Sequence, residues 1–300
     1  MPKDIVLKGE LVSFPTKDGL MLHGFLVRPK RRSTKALIHV HGLQGKFYGS
    51  SFADALSKEA AEKGINFLSI ELRGSYTIVG FRKRKGRKKV WVSAGGGFER
   101  FEDSVYDIAA AIRFLRRQGV REIYLEGHST GCQKITYYQY KKKDRSVKAL
   151  ALSAPADDYN IEKKAFGKDF GGVVARAKVL CKKDRDIPLP KNRIIKNGEF
   201  SVGRFLSFAD TKFVEARLFN YDSDKLREFG SIRQPVLAIF GSREEHRLKP
   251  VREYMRILER DTGSKRFDHL IIKGGDHGFS GHEKETAKAI IKWLGSLAKR

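Results

Sequence analysis

The sequence predicts an α/β protein with a doubly wound, mostly parallel sheet of about eight strands and an inserted cap. Three observations support this fold class. Short apolar runs alternate with helix-length amphipathic segments over most of the 300 residues, which is typical of βαβ units. The alternation is interrupted once, between residues 156 and 232. Glycine-rich turns follow several of the apolar runs, at the strand ends where such sheets carry their ligand sites.

The first two predicted strands form an antiparallel hairpin, and the later strands are buried and parallel. Residues 5–14 and 20–27 flank a Thr-Lys-Asp-Gly segment with the composition of a tight turn. The later runs are continuously apolar, as expected for strands covered on both faces. These strands are predicted at residues 36–40, 65–70, 120–125, 147–152, 235–240 and 267–272. Helices are predicted at residues 49–63, 98–118, 129–140, 250–260 and 283–298.

The interval from residue 156 to residue 232 is predicted to be a largely helical cap. It contains lysine-rich turns, Pro188, Pro190 and many aromatic residues. A segment of this length is not a plain loop in a compact domain. The predicted organisation is therefore a core of residues 1–155 and 233–300 with a cap, or lid, between them. The cap aromatics are expected to form the cap's own core, with a few lining an acyl pocket.

The chain is strongly basic, with 61 Lys and Arg against 35 Asp and Glu and a formal net charge of +26. Such an excess can attract polyanions. However, the basic residues are spread over almost every segment, which favours solvated surfaces, so we do not expect nucleic acid as a partner. One basic cluster, Arg82 to Lys89, lies between apolar runs and predicts a β-hairpin with its tip at Gly86.

The composition also indicates where the protein acts and which groups it needs. No apolar run approaches the ~20 residues of a membrane span, and the first residues lack the apolar region of a secretory signal. We therefore expect a cytoplasmic protein without membrane contact. The two cysteines, Cys132 and Cys181, have no partner at metal-ligand spacing, so the expectation is no metal and no organic cofactor.

Ser129 is the candidate nucleophile. It lies in Gly127-His128-Ser129-Thr130-Gly131, between a predicted strand and a predicted helix. In that context Gly-x-Ser-x-Gly is the sequence form of a nucleophile elbow. The glycines are needed because a sharp, strained turn leaves no room for side chains two positions on either side of the serine.

A candidate acid and a candidate base follow later strands, in the chain order serine, acid, histidine. His277 follows the last predicted strand, and Glu244 and Glu245 follow the strand before it. His277 can activate the serine hydroxyl as a base, and the acid would orient the imidazole and stabilise its protonated form. Glu244 is the preferred acid. Glu245, and Asp157 or Asp158 after an earlier strand, remain alternatives.

An oxyanion hole is predicted from two backbone amides. Residues 41–45, His-Gly-Leu-Gln-Gly, form a glycine-rich turn directly after an early strand. Such a turn can direct an N–H group into the site. The Leu43 amide, with the Thr130 amide at the start of the elbow helix, would then stabilise the negative charge of a tetrahedral intermediate.

Together these motifs resemble the α/β-hydrolase superfamily over nearly the whole chain except the cap. They are the early His-Gly-x-x-Gly, the Gly-His-Ser-Thr-Gly elbow, the Gly-x-x-acid after a late strand and the Gly-Asp-His-Gly near the end. The elbow through Gln133, with the Ala-Pro-Ala-Asp-Asp at residues 154–158, resembles an esterase-like branch that includes siderophore-esterase-like proteins. The long cap is similar to that of cinnamoyl and feruloyl esterases.

The resemblance implies a serine hydrolase that cleaves small-molecule carboxylic esters through an acyl-enzyme, with aromatic esters as one substrate class. The chain departs from the family at Glu244, where an aspartate is usual, although glutamate triads exist in the superfamily. Two alternatives remain: a serine peptidase or thioesterase on the same fold, and a non-catalytic protein that binds polyanions through the basic hairpin. The oligomeric state is open, and a homodimer is one option.

Overall fold

The computed structural model describes residues 7–190 and 200–297. Within these ranges the strands are β1 (Glu10–Pro15), β2 (Met21–Val27), β3 (Lys35–Val40), β4 (Asn66–Ile70), β5 (Val79–Lys85), β6 (Lys88–Ala94), β7 (Glu122–His128), β8 (Val147–Ser153), β9 (Val236–Gly241) and β10 (Phe267–Ile272). The helices there are α1 (Ser51–Glu62), α2 (Ser104–Arg117), α3 (Thr130–Lys142), α4 (Asp158–Phe166), α5 (Phe170–Lys183), α6 (Val202–Ala209), α7 (Val214–Leu218), α8 (Arg227–Gly230), α9 (Val251–Asp261) and α10 (Glu283–Leu297). None of these helices has the length and hydrophobicity that a membrane span requires.

Eight strands form one sheet, in the order β1-β2-β4-β3-β7-β8-β9-β10. β2 pairs antiparallel with both β1 and β4, and the neighbours from β4 to β10 are parallel. Every residue of β4 and β9 is buried, as expected for strands covered by helices on both faces. The predicted doubly wound α/β fold is confirmed. The first two residues of the predicted segment 5–14, and residue 298 of the last predicted helix, lie outside the described ranges.

β7 ends three residues beyond the predicted position. Its pairing with β3 continues to Gly127 and its pairing with β8 continues to His128. The prediction stopped at residue 125 because Glu126 is charged. In the fold the Glu126 carboxylate is fully buried and lies 2.5 Å from His39 Nδ1 on β3, and this side-chain pairing allows a charged residue inside a central strand.

Hydrophobic contacts divide the segment between β8 and β9 into two parts. The first part, around α4 to α6, has a hydrophobic cluster of its own that includes Phe166, Phe205 and Phe208. In the second part, Phe219 and Phe229 belong to the core of the main sheet, and α8 contacts α3. The aromatic residues of the interval therefore serve two different cores.

The predicted basic hairpin is present as β5 and β6. Arg82 pairs with Trp91 across the ladder, and the guanidinium lies 5.6 Å from the centre of the indole ring. Phe81 is buried on the other face of the hairpin, whereas Trp91 is 70% exposed. Gly86, at the tip, has a φ of 61°, which explains the glycine at that position. The hairpin thus presents a basic and aromatic face to solvent.

Candidate active site

Ser129 stands in a strained turn between β7 and α3. Its φ is 55° and its ψ is −128°, a conformation that costs free energy in a non-glycine residue. A Cβ atom on Gly127 would lie 2.5 Å from the backbone of Gly131, and one on Gly131 would lie 2.0 Å from the Val40 carbonyl oxygen. Both positions therefore require glycine, and the backbone has the form expected of a nucleophile elbow.

His277 and Glu244 contact each other at the ends of β10 and β9. The distance between His277 Nδ1 and Glu244 Oε1 is 2.8 Å, and Glu244 is 3% exposed. Because a carboxylate only accepts, Nδ1 carries the proton and donates it, which leaves Nε2 able to accept a proton. Glu245 instead accepts a hydrogen bond from the backbone N–H of His277 at 2.8 Å. Of the two glutamates, Glu244 is the one that contacts the ring.

Two glycines bring this pair together. A Cβ atom on Gly241 would lie 2.2 Å from the Gly275 carbonyl oxygen, and Arg243 N–H donates to the same oxygen at 2.8 Å. The turns after β9 and β10 are therefore in backbone contact, and each carries one partner of the pair.

The alternative acids have other partners. Asp157 caps α4 by accepting from the backbone N–H of Asn160 at 3.1 Å, and it also accepts from the N–H of Tyr221. Asp158 accepts from the side-chain amide of Gln133 at 2.8 Å. These contacts give both aspartates structural roles at the start of α4.

His128 connects His277 to the elbow. The carbonyl oxygen of His277 accepts a hydrogen bond from His128 Nε2 at 2.8 Å, and the two imidazole rings are 5.0 Å apart. Burial, reinforced by the neighbouring His277, lowers the pKa of His128 to about 4, so this donor is neutral near pH 7. His246 packs edge-on against the same His277 ring at 4.6 Å.

The turn at residues 41–45 packs against Ser129. A Cβ atom on Gly42 would lie 2.9 Å from Ser129 Cβ and 3.3 Å from its Oγ. His41 Nδ1 donates to the Gly42 carbonyl at 2.8 Å, and His41 Nε2 accepts from Ser75 Oγ at 2.9 Å. Burial lowers the pKa of His41 to about 3, which is consistent with these two roles. Position 42 requires glycine because any side chain there would collide with Ser129.

The two predicted oxyanion donors have free N–H groups. Among the described residues, neither the Leu43 N–H nor the Thr130 N–H donates to another protein group. Leu43 follows Gly42, which contacts Ser129, and Thr130 is the first residue of α3.

A buried charge network connects α3 with α6, and no local sequence pattern indicates it. Lys134 Nζ on α3 is 3.0 Å from Glu99, and Arg204 on α6 is 3.4 Å from the same carboxylate. Arg204 also pairs with Glu215 and donates to the Gly96 carbonyl at 3.1 Å. Although burial opposes it, the charges of Lys134 and Arg204 lower the pKa of Glu99. The network joins α3, the loop before α2 and α6.

A family model described as "Protein of unknown function (DUF1749)" matches residues 8–297. The chain belongs to this family. No curated protein matches it. The family description names no activity.

Solved structures show which fold this DUF1749 protein has. The chain is similar to Est1E from Butyrivibrio proteoclasticus, with a TM-score of 0.62 and 17% identity over 97% of this chain and 100% of that one. It is also similar to the Pyrococcus furiosus esterase Pf2001, with a TM-score of 0.60 and 14% identity over 98% and 91% of the two chains. A third similar structure is carboxylesterase CesB from Bacillus subtilis, with a TM-score of 0.55 and 14% identity over 95% of this chain and 90% of that one. The predicted α/β-hydrolase fold is confirmed.

Proposed function

We propose that this protein hydrolyses small-molecule carboxylic esters with Ser129 as nucleophile, His277 as base and Glu244 as the orienting acid. The observation that supports this most strongly is the partly buried Glu244–His277 contact of 2.8 Å, at the same sheet edge as the strained Ser129 elbow. A nucleophile, a base and an orienting group assembled at one edge are the parts that acyl transfer requires.

In the proposed reaction Ser129 Oγ attacks the ester carbonyl carbon, and its proton passes to His277 Nε2. The N–H groups of Leu43 and Thr130 stabilise the negative oxygen of the tetrahedral intermediate. Collapse of that intermediate breaks the ester C–O bond, and the alcohol leaves with the proton from His277. Water, deprotonated by His277, then attacks the acyl-enzyme, which releases the carboxylic acid and regenerates Ser129.

The test of this function is covalent labelling with a fluorophosphonate, which reacts with activated serines. We expect stoichiometric labelling of the wild-type protein at Ser129 and none of the Ser129→Ala variant. Labelling that persists in Ser129→Ala would refute the proposal. A panel of matched oxygen esters, thioesters and amides then separates an esterase from a thioesterase or a peptidase. Because Est1E has been solved with ferulic acid bound, aromatic esters are the first arm of the panel.

The assignment of the acid predicts different effects for two adjacent glutamates. Glu244→Gln should lower kcat by about 10²- to 10⁴-fold, since a neutral amide neither fixes the required tautomer nor stabilises the imidazolium. Glu245→Gln is the matched control and should change kcat by less than about tenfold, because Glu245 accepts from the backbone N–H of His277 and, among the described residues, does not contact its ring. Steady-state kinetics on one ester measures both. The reverse order of effects would assign the role to Glu245.

A further inference from the structure

The outer face of the β5–β6 hairpin carries positive charges and one aromatic ring. Residues directly opposite each other on an antiparallel pair point to the same face, so Arg82 and Trp91 share this face with Arg84 and Lys89. All four are exposed, and residues 79–94 contain no acid. Alternate residues of a strand are about 6.6 Å apart. Arg82 and Arg84 therefore form a row of positive charges along β5.

This face lines a cavity of about 580 Å³ together with the turn between β1 and β2. The turn is joined to the hairpin by a hydrogen bond of 2.8 Å from the Arg84 N–H to the Gly19 carbonyl. Lys17 adds a positive charge from the turn, and Pro15 and Met21 contribute apolar surface. A concave surface with charges of one sign focuses the potential that an anionic ligand meets.

The protein does not neutralise these charges. Within residues 7–190 and 200–297, four cations of the cavity form no ion pair: Lys17, Arg82, Arg84 and Lys89. The acid in the lining, Asp18, instead pairs with Arg73 at 3.2 Å and with Lys83 at 3.9 Å. An anionic ligand in the cavity therefore meets four positive charges that have no carboxylate partner among the described residues.

Trp91 places an exposed ring beside these cations. A Cβ atom on Gly80 would lie 3.5 Å from the indole, and the Arg82 guanidinium lies 5.6 Å from the ring centre. These two contacts hold the ring against the hairpin, although Trp91 is 70% exposed. Exposed apolar area is unfavourable in water, and a planar ligand group that stacks on the ring would cover it.

The combination of a cation row and a ring fits single-stranded nucleic acid better than other polyanions. Its phosphates alternate with bases that are free to stack on aromatic side chains, whereas the bases of a duplex are stacked inside the helix. A lipid surface fits poorly, because the hairpin tip is Lys85-Gly86-Arg87-Lys88 and offers no apolar side chain to enter a bilayer.

We propose that the outer face of the β5–β6 hairpin binds single-stranded nucleic acid, with phosphates on the four cations of the cavity and one base stacked on Trp91. Nucleic acid is not expected from the sequence, in which basic residues are spread over almost every segment. The fold gathers four of them at one cavity, through the contact between the hairpin and the β1–β2 turn. This inference is independent of the proposed ester hydrolysis.

The experiment titrates the full-length protein with a single-stranded oligothymidylate of about 12 nucleotides, within the usual range of site sizes. Tryptophan fluorescence is the first measurement, because a base stacked on Trp91 quenches its emission. The other tryptophan, Trp293, is 8% exposed and donates to Asp268 at 2.7 Å, so its emission should stay constant. A duplex of the same length and inorganic polyphosphate should give no quenching.

Two substitutions test the ring, with the anisotropy of a labelled oligonucleotide as the measurement. Trp91→Leu should weaken binding of the single strand by about 5- to 150-fold, the usual effect of losing one stacked base. Trp91→Tyr should restore most of the affinity, because tyrosine also offers a ring. Both substitutions are at an exposed position, and thermal unfolding confirms that the variants are folded.

A triple substitution tests the charges: Arg82→Gln, Arg84→Gln and Lys89→Gln. Each lost phosphate contact lowers the slope of log affinity against log salt by about 0.7, so the slope should fall by about 2. The matched control removes three exposed lysines about 6 Å apart on α10: Lys284→Gln, Lys288→Gln and Lys292→Gln. At about 0.1 M salt this distant change is screened, and affinity should stay within about twofold of wild type.

Several results would overturn the proposal. They are no binding of the single strand at about 0.1 M salt, binding without quenching, quenching by the duplex, and equal losses in the hairpin and α10 variants. Binding of phosphatidylglycerol vesicles in place of the single strand would assign the face to a membrane and also overturn it. If a variant does not fold, the wild-type comparison of single strand with duplex decides.

Discussion

Replacing Ser129 with alanine is expected to lower kcat for ester hydrolysis by at least about 10⁴-fold, because the acyl-enzyme route is lost with its nucleophile. Residual turnover would come only from substrate binding and the oxyanion donors. The measurement is steady-state kinetics on the best substrate of the panel, with the active-site concentration set by fluorophosphonate titration of the wild type.

Ser153→Ala is the control for this prediction. Ser153 is fully buried at the end of β8, and its backbone carbonyl accepts from the N–H of Ser129 at 2.9 Å. Its side-chain oxygen has no partner among the described residues. Loss of this hydroxyl should change kcat by no more than a few-fold. Comparable activity in Ser129→Ala and wild type would remove Ser129 from the mechanism.

Arg204→Met should lower the free energy of unfolding by about 3–5 kcal/mol, the usual cost of removing one partner of a buried ion pair. The guanidinium of Arg204 is fully buried between Glu99 and Glu215. Its removal leaves both carboxylates without the positive charge of Arg204. Methionine fills a similar volume, so the effect reports charge rather than a cavity. Denaturation with urea measures the change.

The same substitution in an exposed ion pair gives the comparison. Arg28 pairs with Glu10 at 2.6 Å, and both side chains are well exposed. Arg28→Met should therefore cost less than about 1 kcal/mol. If Arg204→Met is no more destabilising than Arg28→Met, the network contributes little to holding α6 against the core.

The buried charge network around Arg204 also holds α6, which is part of the predicted lid. Besides its contacts through Arg204, the start of α6 is held by a backbone hydrogen bond of 2.8 Å from Ser201 N–H to the Gly97 carbonyl. Gly96, next to it, donates to the Tyr76 carbonyl at 2.6 Å, and Tyr76 N–H donates to the Gly45 carbonyl at 3.2 Å. A continuous set of contacts therefore connects α6 with the turn beside Ser129. A large movement of α6 would break these contacts.

The sequence by itself determined the parallel sheet, the elbow at Ser129 and the basic hairpin. These features depend on local signals: continuous apolar runs, helical spacing and glycines at positions where a side chain has no room. The predicted and observed strand ends agree within three residues, except at the first strand, which is predicted from residue 5 and begins at Glu10. The shift of three residues at the end of β7 occurs where Glu126 pairs with His39 on a strand far away in the chain.

The tertiary structure alone decided which side chains meet. Glu244 and Glu245 are neighbours of the same type, and their different contacts with His277 depend on the backbone contact between Gly241 and Gly275. The partners of Gln133 and Arg204 come from distant parts of the chain, which no local pattern specifies. The physical reason is that periodicity determines the type of an element and which of its faces is buried, whereas the contact between two side chains depends on how separate turns pack together.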